Sequence, residues 1–170
     1  VGEPDWDGRY KIGILNLAVG RSFQMLGQRW RYQTQLRWQY THTPLPPTEY
    51  ANIGGRYSVR GFDGEQTLSA ETGGYWRNEL GIGLPATPHL PGNHETYFAL
   101  DAGRIAGEQS RGLPHKNLIG TALGVRGSID LAKRFSVSYD LNAGAPLSKP
   151  DNLTTARLAV AAFVSFDFSI

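Results

Sequence analysis

At 170 residues the chain has the length of one domain, and without a cysteine it offers neither a disulfide framework nor a thiolate metal site. A formal charge of +2 is too small to imply a polyanionic partner, although the pI is near 9.0, and no run approaches the ~20 consecutive apolar residues a membrane helix needs. Glycine (21), proline (10) and an aromatic content of 11% suit many strands and turns, and a mean hydropathy of −0.35 is what alternating apolar and polar positions average to.

The segment starting at Val1 shows no basic region followed by an apolar core, so no signal peptide is visible. Tyr10 to Phe23 alternates imperfectly, its phase slipping around Ile14 and Leu15, which predicts a strand with a bulge. The clearest pattern follows the tight turn Gln24–Gly27. Trp30, Tyr32, Thr34, Leu36, Trp38 and Tyr40 fall on one face, and Arg29, Arg31, Gln33, Gln35, Arg37 and Gln39 on the other. That period of two runs from Gln28 to Thr41. A soluble strand averages ~5–6 residues, whereas a membrane strand tilted ~45° needs ~9–11. Aromatic residues near both ends of the apolar row match interfacial girdles.

Similar alternation recurs downstream. In Tyr75–Leu84, Trp76, Leu80, Ile82 and Leu84 oppose Tyr75, Arg77 and Glu79. In Tyr97–Ile105, Phe98, Leu100 and Ala102 oppose Ala99, Asp101 and Gly103. From Leu118 to Ile129, Ile119, Thr121, Leu123, Val125 and Ile129 oppose small residues and Arg126. Phe135, Val137, Tyr139 and Leu141 oppose Ser136, Ser138, Asp140 and Asn142. The last stretch sets Leu158, Val160, Ala162, Val164, Phe166, Phe168 and Ile170 against Arg157, Ser165, Asp167 and Ser169. The pattern predicts an all-β chain of about seven strands and no helix.

The connections alternate in length. Gln24–Gly27 and Asp130–Arg134 are tight, while Thr41–Gly74, Gly107–Lys116 and Ala145–Thr154 are long and rich in Gly, Pro and polar residues. Outer-membrane barrels have short periplasmic turns and longer extracellular loops. Pro85–Glu95 departs from this rule by its length; otherwise the chain ends on the periplasmic side. About seven strands do not close a barrel of even strand number, and an open edge in lipid leaves backbone groups unpaired. The expectation is a fragment, residues 1–170 forming the carboxy-terminal portion of a transmembrane antiparallel β-barrel.

The long connection holds Ile53-Gly-Gly-Arg-Tyr-Ser-Val-Arg-Gly-Phe62, with Val59, Arg60, Gly61 and Phe62 at its centre. This resembles the long-loop motif of the superfamily that includes the barrel-assembly protein and the two-partner-secretion transporters. Tyr75, Trp76, Arg77, Asn78, Glu79 and Leu80, opening the next strand, resemble specifically the hemolysin secretion/activation transporters, the TpsB family. Phe98-Ala-Leu-Asp-Ala-Gly103 matches a further superfamily motif in order and spacing. The resemblance covers the chain from about Tyr10 to its end. It implies a barrel of about sixteen strands preceded by periplasmic POTRA domains. It also implies a loop, at about 42–74 here, that folds back into the lumen. Its arginine would pair with an inward aspartate, Arg60 with Asp101, on a wall where Phe98 and Gly103 flank the carboxylate. A planar guanidinium suits a carboxylate bidentately, and Gly61 permits a positive-φ backbone beside it. Ile170, where outer-membrane strands usually finish with an aromatic, departs from the pattern, although Phe166 and Phe168 keep the alternation.

The implied function is export of a large exoprotein partner of the hemolysin, adhesin or contact-dependent-toxin type through the bacterial outer membrane. Outer-membrane lipid and, during insertion, the barrel-assembly machinery would be the other partners. Two readings stay open beside it: a barrel-assembly insertase of the same superfamily and a passive porin. Enzymatic chemistry has little to stand on. His42, His89, His94 and His115 fall in expected loops or turns without metal-binding spacing, and no Gly-x-Ser-x-Gly elbow or phosphate-cradling loop occurs. No metal and no cofactor are expected. Asn152-Leu-Thr154 matches a glycosylation sequon of little meaning in such a barrel. Nucleic-acid stacking is disfavoured because the Gln28–Tyr40 arginines and rings alternate to opposite faces instead of sharing one.

Overall fold

The computed structural model describes residues 9–85, 91–113, 115–132 and 134–168. In chain order the strands are β1 (Ile12–Met25), β2 (Gln28–Thr41), β3 (Ala51–Ile53), β4 (Leu68–Ala70), β5 (Thr72–Leu84), β6 (Asn93–Ala106), β7 (Asn117–Ala132), β8 (Phe135–Ser148) and β9 (Ala159–Phe168). Seven of them form one sheet in the order β1-β2-β5-β6-β7-β8-β9, each antiparallel to its neighbours. The short strands β3 and β4 pair with each other inside the β2–β5 connection, after a 3-10 turn at Pro47–Glu49.

Strand length follows from the long alternating runs. β1 to β8 of the sheet have 13 to 16 residues and β9 has 10, enough to cross ~30 Å of hydrocarbon at a tilt. Cross-strand register gathers the apolar side chains on one outer face. One row reads Leu17, Leu36, Trp76, Ala102 and Ile119 from β1 to β7. Trp76, Leu100, Leu123, Val164 and Phe166 are among the many large apolar groups this face leaves exposed. Soluble proteins rarely carry contiguous apolar patches beyond a few hundred Å². A face spanning seven strands belongs against lipid, where the ladder satisfies the backbone groups internally.

β1 carries no bulge. It pairs residue for residue with β2, from Ile12 opposite Thr41 to Met25 opposite Gln28. The phase slip expected at Ile14 and Leu15 arises because Ile14 is an apolar residue on the inner face, opposite Gln39, while Leu15 is outward, opposite Trp38. The irregularities lie between β7 and β8 instead, at Ile119/Gly120 and Asp130/Ala132. Pro146, which has no N–H to give the ladder, stands at the first.

The turns sort by edge. β1 and β2 join through Leu26 and Gly27, both at positive φ (54° and 74°), as a two-residue hairpin requires. The end of β5 at Leu84, the start of β6 at Asn93, the end of β7 at Ala132 and the start of β8 at Phe135 lie on that same edge; residues 86–90 and 133 are outside those described. The opposite edge carries the long connections 42–71, 107–116 and 149–158. β5 starts at Thr72, so Gly73 and Gly74 belong to the strand and not to the loop. His94 is no loop histidine: it lies in β6, is buried, and its Nδ1 is 2.8 Å from the Tyr139 hydroxyl. His89, Ser169 and Ile170 fall outside the described residues.

The 42–71 connection does not stand away from the sheet. It lies across the inner face and brings an apolar core of its own. Ile53, Val59, Phe62, Leu68 and Ala70 from the loop are buried against Ile105 of β6, Leu118 of β7 and Leu153 of the 149–158 connection. Beneath the loop the inner face of the sheet is therefore apolar. Burial of these side chains, about 1.5–3 kcal/mol for each large one, is what holds a backbone of this length against the wall.

Candidate functional site

The tip of the loop is built by a small turn. Ser58 Oγ accepts from the N–H groups of Gly54 and Gly55 at 3.0 and 3.2 Å, and Val59 N–H donates to Gly55 O at 3.0 Å. Gly61 follows at φ +96°, a conformation L side chains rarely adopt, and a Cβ there would run into the Ala145 carbonyl of β8. On β6 a Cβ at Gly103 would lie 2.8 Å from Val59 Cγ2 and 3.0 Å from Ile53 Cδ1. The missing side chain is the socket into which the loop core fits.

This packing aims Arg60 along the wall. Its Nε donates to Asp101 Oδ2 at 2.7 Å and its Nη2 to Asp101 Oδ1 at 2.9 Å, a two-point fork on one carboxylate. Its Nη1 donates to Glu79 Oε2 at 2.5 Å, its Nη2 also to the Asn78 carbonyl at 3.3 Å, and its own backbone N–H to Asp101 Oδ2 at 3.0 Å. Asn78 N–H adds a further donor to Asp101 Oδ1 at 3.2 Å. Asp101 has no exposed surface and Arg60 is 6% exposed. Several kcal/mol of desolvation per ion is offset only because nearly every polar atom of the pair has a partner.

The pair belongs to a larger network. Arg126 of β7 donates to Glu79 Oε1 and to Glu95, the latter at 3.0 Å, and lies 3.9 Å from Asp140 of β8. Glu95 also accepts from Arg31 of β2 at 2.6 Å, and Arg77 Nε stands 3.7 Å from Asp101. Four guanidinium groups (Arg31, Arg60, Arg77, Arg126) thus meet four carboxylates (Glu79, Glu95, Asp101, Asp140), so the network balances to zero charge. Two of the cations lie over the ring of Tyr97. Its ring centroid is 4.4 Å from Arg126 Cζ and 5.9 Å from Arg60 Cζ, and its hydroxyl donates to Asp140 at 2.7 Å. Beside the network lie two open clefts of about 470 and 330 Å³, both lined by Arg60, Arg77, Glu79 and Arg126.

The motif residues divide by face. Val59, Arg60, Gly61 and Phe62 meet Asp101, Gly103, Arg77 and Glu79 on the inner side, with Tyr75 packed against the loop core. Trp76, Leu80 and Phe98 point outward and touch none of this. Asn78 works from both faces, its backbone toward Arg60 and Asp101 and its side chain accepting from Tyr32 and Thr34. Tyr97 and the linking part of Arg126 escaped motif reading. Parity marks both as inward, but their partners sit on other strands, beyond what alternation within one strand tells.

The comparisons with known proteins bear on this arrangement. Residues 2–127 match the model of the haemolysin secretion/activation protein ShlB/FhaC/HecB family. The chain belongs to that family. It is 38% identical over 153 residues to the outer membrane transporter CdiB-2 of Burkholderia pseudomallei, covering 89% of this chain and 25% of that protein. It is 33% identical over 144 residues to the outer membrane transporter CdiB of Escherichia coli O6:K15:H31, covering 84% and 23%. The solved structure of CdiB from Acinetobacter baumannii superposes with a TM-score of 0.76 at 31% identity, covering 94% of this chain and 27% of that one. The chain spans about a quarter of the length of the relatives it matches. Its sheet is a segment of that outer-membrane barrel, and the family is one of transporters rather than enzymes.

Proposed function

We propose that the chain is the carboxy-terminal part of the barrel of a two-partner-secretion transporter, which passes one large exoprotein through the bacterial outer membrane. Family membership and the names of the relatives support transport. A hemolysin transporter protein, HpmB of Proteus mirabilis, is 45% identical over 42 residues and supports an exoprotein cargo. In this reading the 42–71 connection is an extracellular loop folded into the lumen. Val59, Arg60, Gly61 and Phe62 form its working tip, with Asp101 and Gly103 as its seat on the wall. The remaining strands, the POTRA domains and the contacts with lipid and the assembly machinery belong to the whole transporter.

The observation that carries the reading is the buried fork between Arg60 and Asp101, completed by Glu79. A diffusion pore has no need of a loop tip paired at this cost. The polar groups around it do no bond-making chemistry: they hold the loop and leave a hydrated, charge-balanced path beside it for an unfolded chain. Arg60→Ala in the full-length transporter tests this. It abolishes export of the partner while the barrel still assembles, whereas normal export would refute the assigned role.

A further inference from the structure

The turn after Phe62 is tied to a part of the molecule that Arg60 does not touch. Asp63 Oδ2 accepts from the Ala156 N–H at 2.6 Å, and the Asp63 N–H donates to Thr155 Oγ1 at 3.3 Å. Three residues on, Gln66 Oε1 accepts from the Thr154 N–H at 2.7 Å. All three bonds join the long loop to the 149–158 connection between β8 and β9. That connection already contributes Leu153 to the loop's core, and Lys149 Nζ donates to the Leu153 carbonyl at 2.6 Å.

Asp63 is exposed, and an exposed carboxylate is ordinarily left to water. Here both oxygens are used, because Oδ1 accepts from the Glu65 N–H at 3.1 Å. That last bond is a local side-chain-to-backbone turn, which forms in any loop of this sequence. The bonds to Thr154, Thr155 and Ala156 are not local. Among the described residues no Lys or Arg lies within ion-pair distance of Asp63. Its charge is directed at main-chain donors, where a charge-assisted bond is about twice as strong as a neutral one.

Between this anchor and Arg60 stand only Gly61, at φ +96°, and buried Phe62. One anchor beside a glycine leaves a pivot; two anchors flanking it remove the rotation. The connection that Asp63 holds joins β8 to β9. We propose that Asp63, assisted by Gln66, is a positioning residue that latches the long loop to residues 154–156 and so keeps Arg60 in register with Asp101 and Glu79. The proposal rests on the reading of the loop given above, and it adds the β8–β9 hairpin to the parts on which export depends.

The test uses the full-length transporter in cells that also make its partner. Asp63→Ala removes the acceptor; Ala156→Pro removes the main-chain donor without touching the loop; the double variant combines them. Partner in the medium is measured for each, normalised to the fraction of transporter showing the heat-dependent gel shift of a folded barrel. A spin label on Glu65→Cys reports loop mobility directly. The latch predicts that each single variant lowers export about tenfold, the loss of one charge-assisted bond. The double variant falls no further, and the label becomes mobile in every one. Unchanged export with an immobile label in Asp63→Ala overturns the proposal, as does a double variant whose loss is the product of the singles. If Ala156→Pro does not assemble, the label in Asp63→Ala decides alone. Arg60→Ala runs alongside: normal export there defeats the functional reading of the loop, while the label at position 65 still judges the latch.

Discussion

Arg60 and Asp101, forty-one positions apart in the chain, meet through two parallel hydrogen bonds of 2.7 and 2.9 Å in a site closed to solvent. One partner belongs to a long connection and the other to a strand of the wall, so the bond reports a loop lying against the inner face of the sheet. Four further donors and acceptors complete the pair. Removing the arginine would leave buried Asp101 with only the Arg77 guanidinium at 3.7 Å and Glu79 with Arg126 alone.

That imbalance sets the size of the first effect. Arg60→Ala costs loop docking about 3–5 kcal/mol, the range for breaking a buried pair from one side. Arg60→Lys recovers little, because an ammonium cannot present the fork that Asp101 and Glu79 share. Export assays on both variants, with the gel shift as the folding control, check it.

Gly61→Ala is expected to undock the tip without changing any charge. The new Cβ meets the Ala145 carbonyl and the φ of +96° is one that L side chains rarely adopt, a strain of about 1–3 kcal/mol before the clash is counted. Gly112→Ala is the control, since nothing lies within 4 Å of a Cβ there. Protease sensitivity of the loop rises in the first variant and stays at the wild-type level in the second.

Glu79 is shared between Arg60 and Arg126, and neutralising it leaves the network one positive charge in excess. Glu79→Gln lowers export, and adding Arg126→Gln restores part of it by returning the balance. A double-mutant cycle on export reads this as a coupling of about 0.5–3 kcal/mol between contacting residues. Additive losses would show that Glu79 and Arg126 act independently.

Asp63 makes the loop sensitive to acid in a defined direction. The Ala156 N–H above all, and other hydrogen bonds, hold its carboxyl below the ordinary value of 3.8, against a smaller opposing desolvation. A group depressed on docking stabilises the docked state fully above its undocked pKa and loses that contribution as pH falls through the docked value. The other charged groups of the 42–71 and 149–158 connections are Glu49, Arg56, Arg60, Glu65, Glu71, Lys149, Asp151 and Arg157, none of which forms an ion pair with Asp63. A spin label at position 65 is therefore expected to gain mobility as pH drops below about 4, and Asp63→Asn to give a flat profile.

The outer face makes its own prediction. Leu123 sits between Phe98 and Ala143 on the outward rows and is 64% exposed in the sheet. Leu123→Lys disfavours the membrane-inserted barrel by about 2–4 kcal/mol if the site lies near the bilayer midplane. The fraction of transporter assembled in the outer membrane falls accordingly, while a polar substitution at inward Gln33 leaves it unchanged.

Much of the sheet was legible because a single strand carries its own parity. Gln28–Thr41 alone tells which side chains face lipid, and its bounds match β2. Reading failed where parity carried no contrast. Ile14 is apolar and inward, so β1 looked interrupted although its register is continuous. Phe163, opposite Asp140, is likewise inward on β9, against that strand's outward aromatics. The Arg60–Asp101 pair came from motif order and not from the residues alone, since no local rule joins positions so far apart. The network through Arg126, the core of Ile53, Ile105 and Leu118, and the tie from Asp63 to Ala156 depend on which strands lie two or more places apart in the sheet. Alternation within one strand holds no record of that.

The most direct test of the folded-in loop is a cross-link between its tip and the wall. The chain has no cysteine, and a Cβ at Gly103 would lie 2.8 Å from Val59 Cγ2, so Val59→Cys with Gly103→Cys brings two thiols within disulfide reach. The predicted result is a disulfide formed in nearly all of the folded, membrane-inserted transporter, with neither thiol open to maleimide until a reductant is added. Two free thiols that react fully under oxidising conditions, in a barrel that is otherwise folded, would contradict the account.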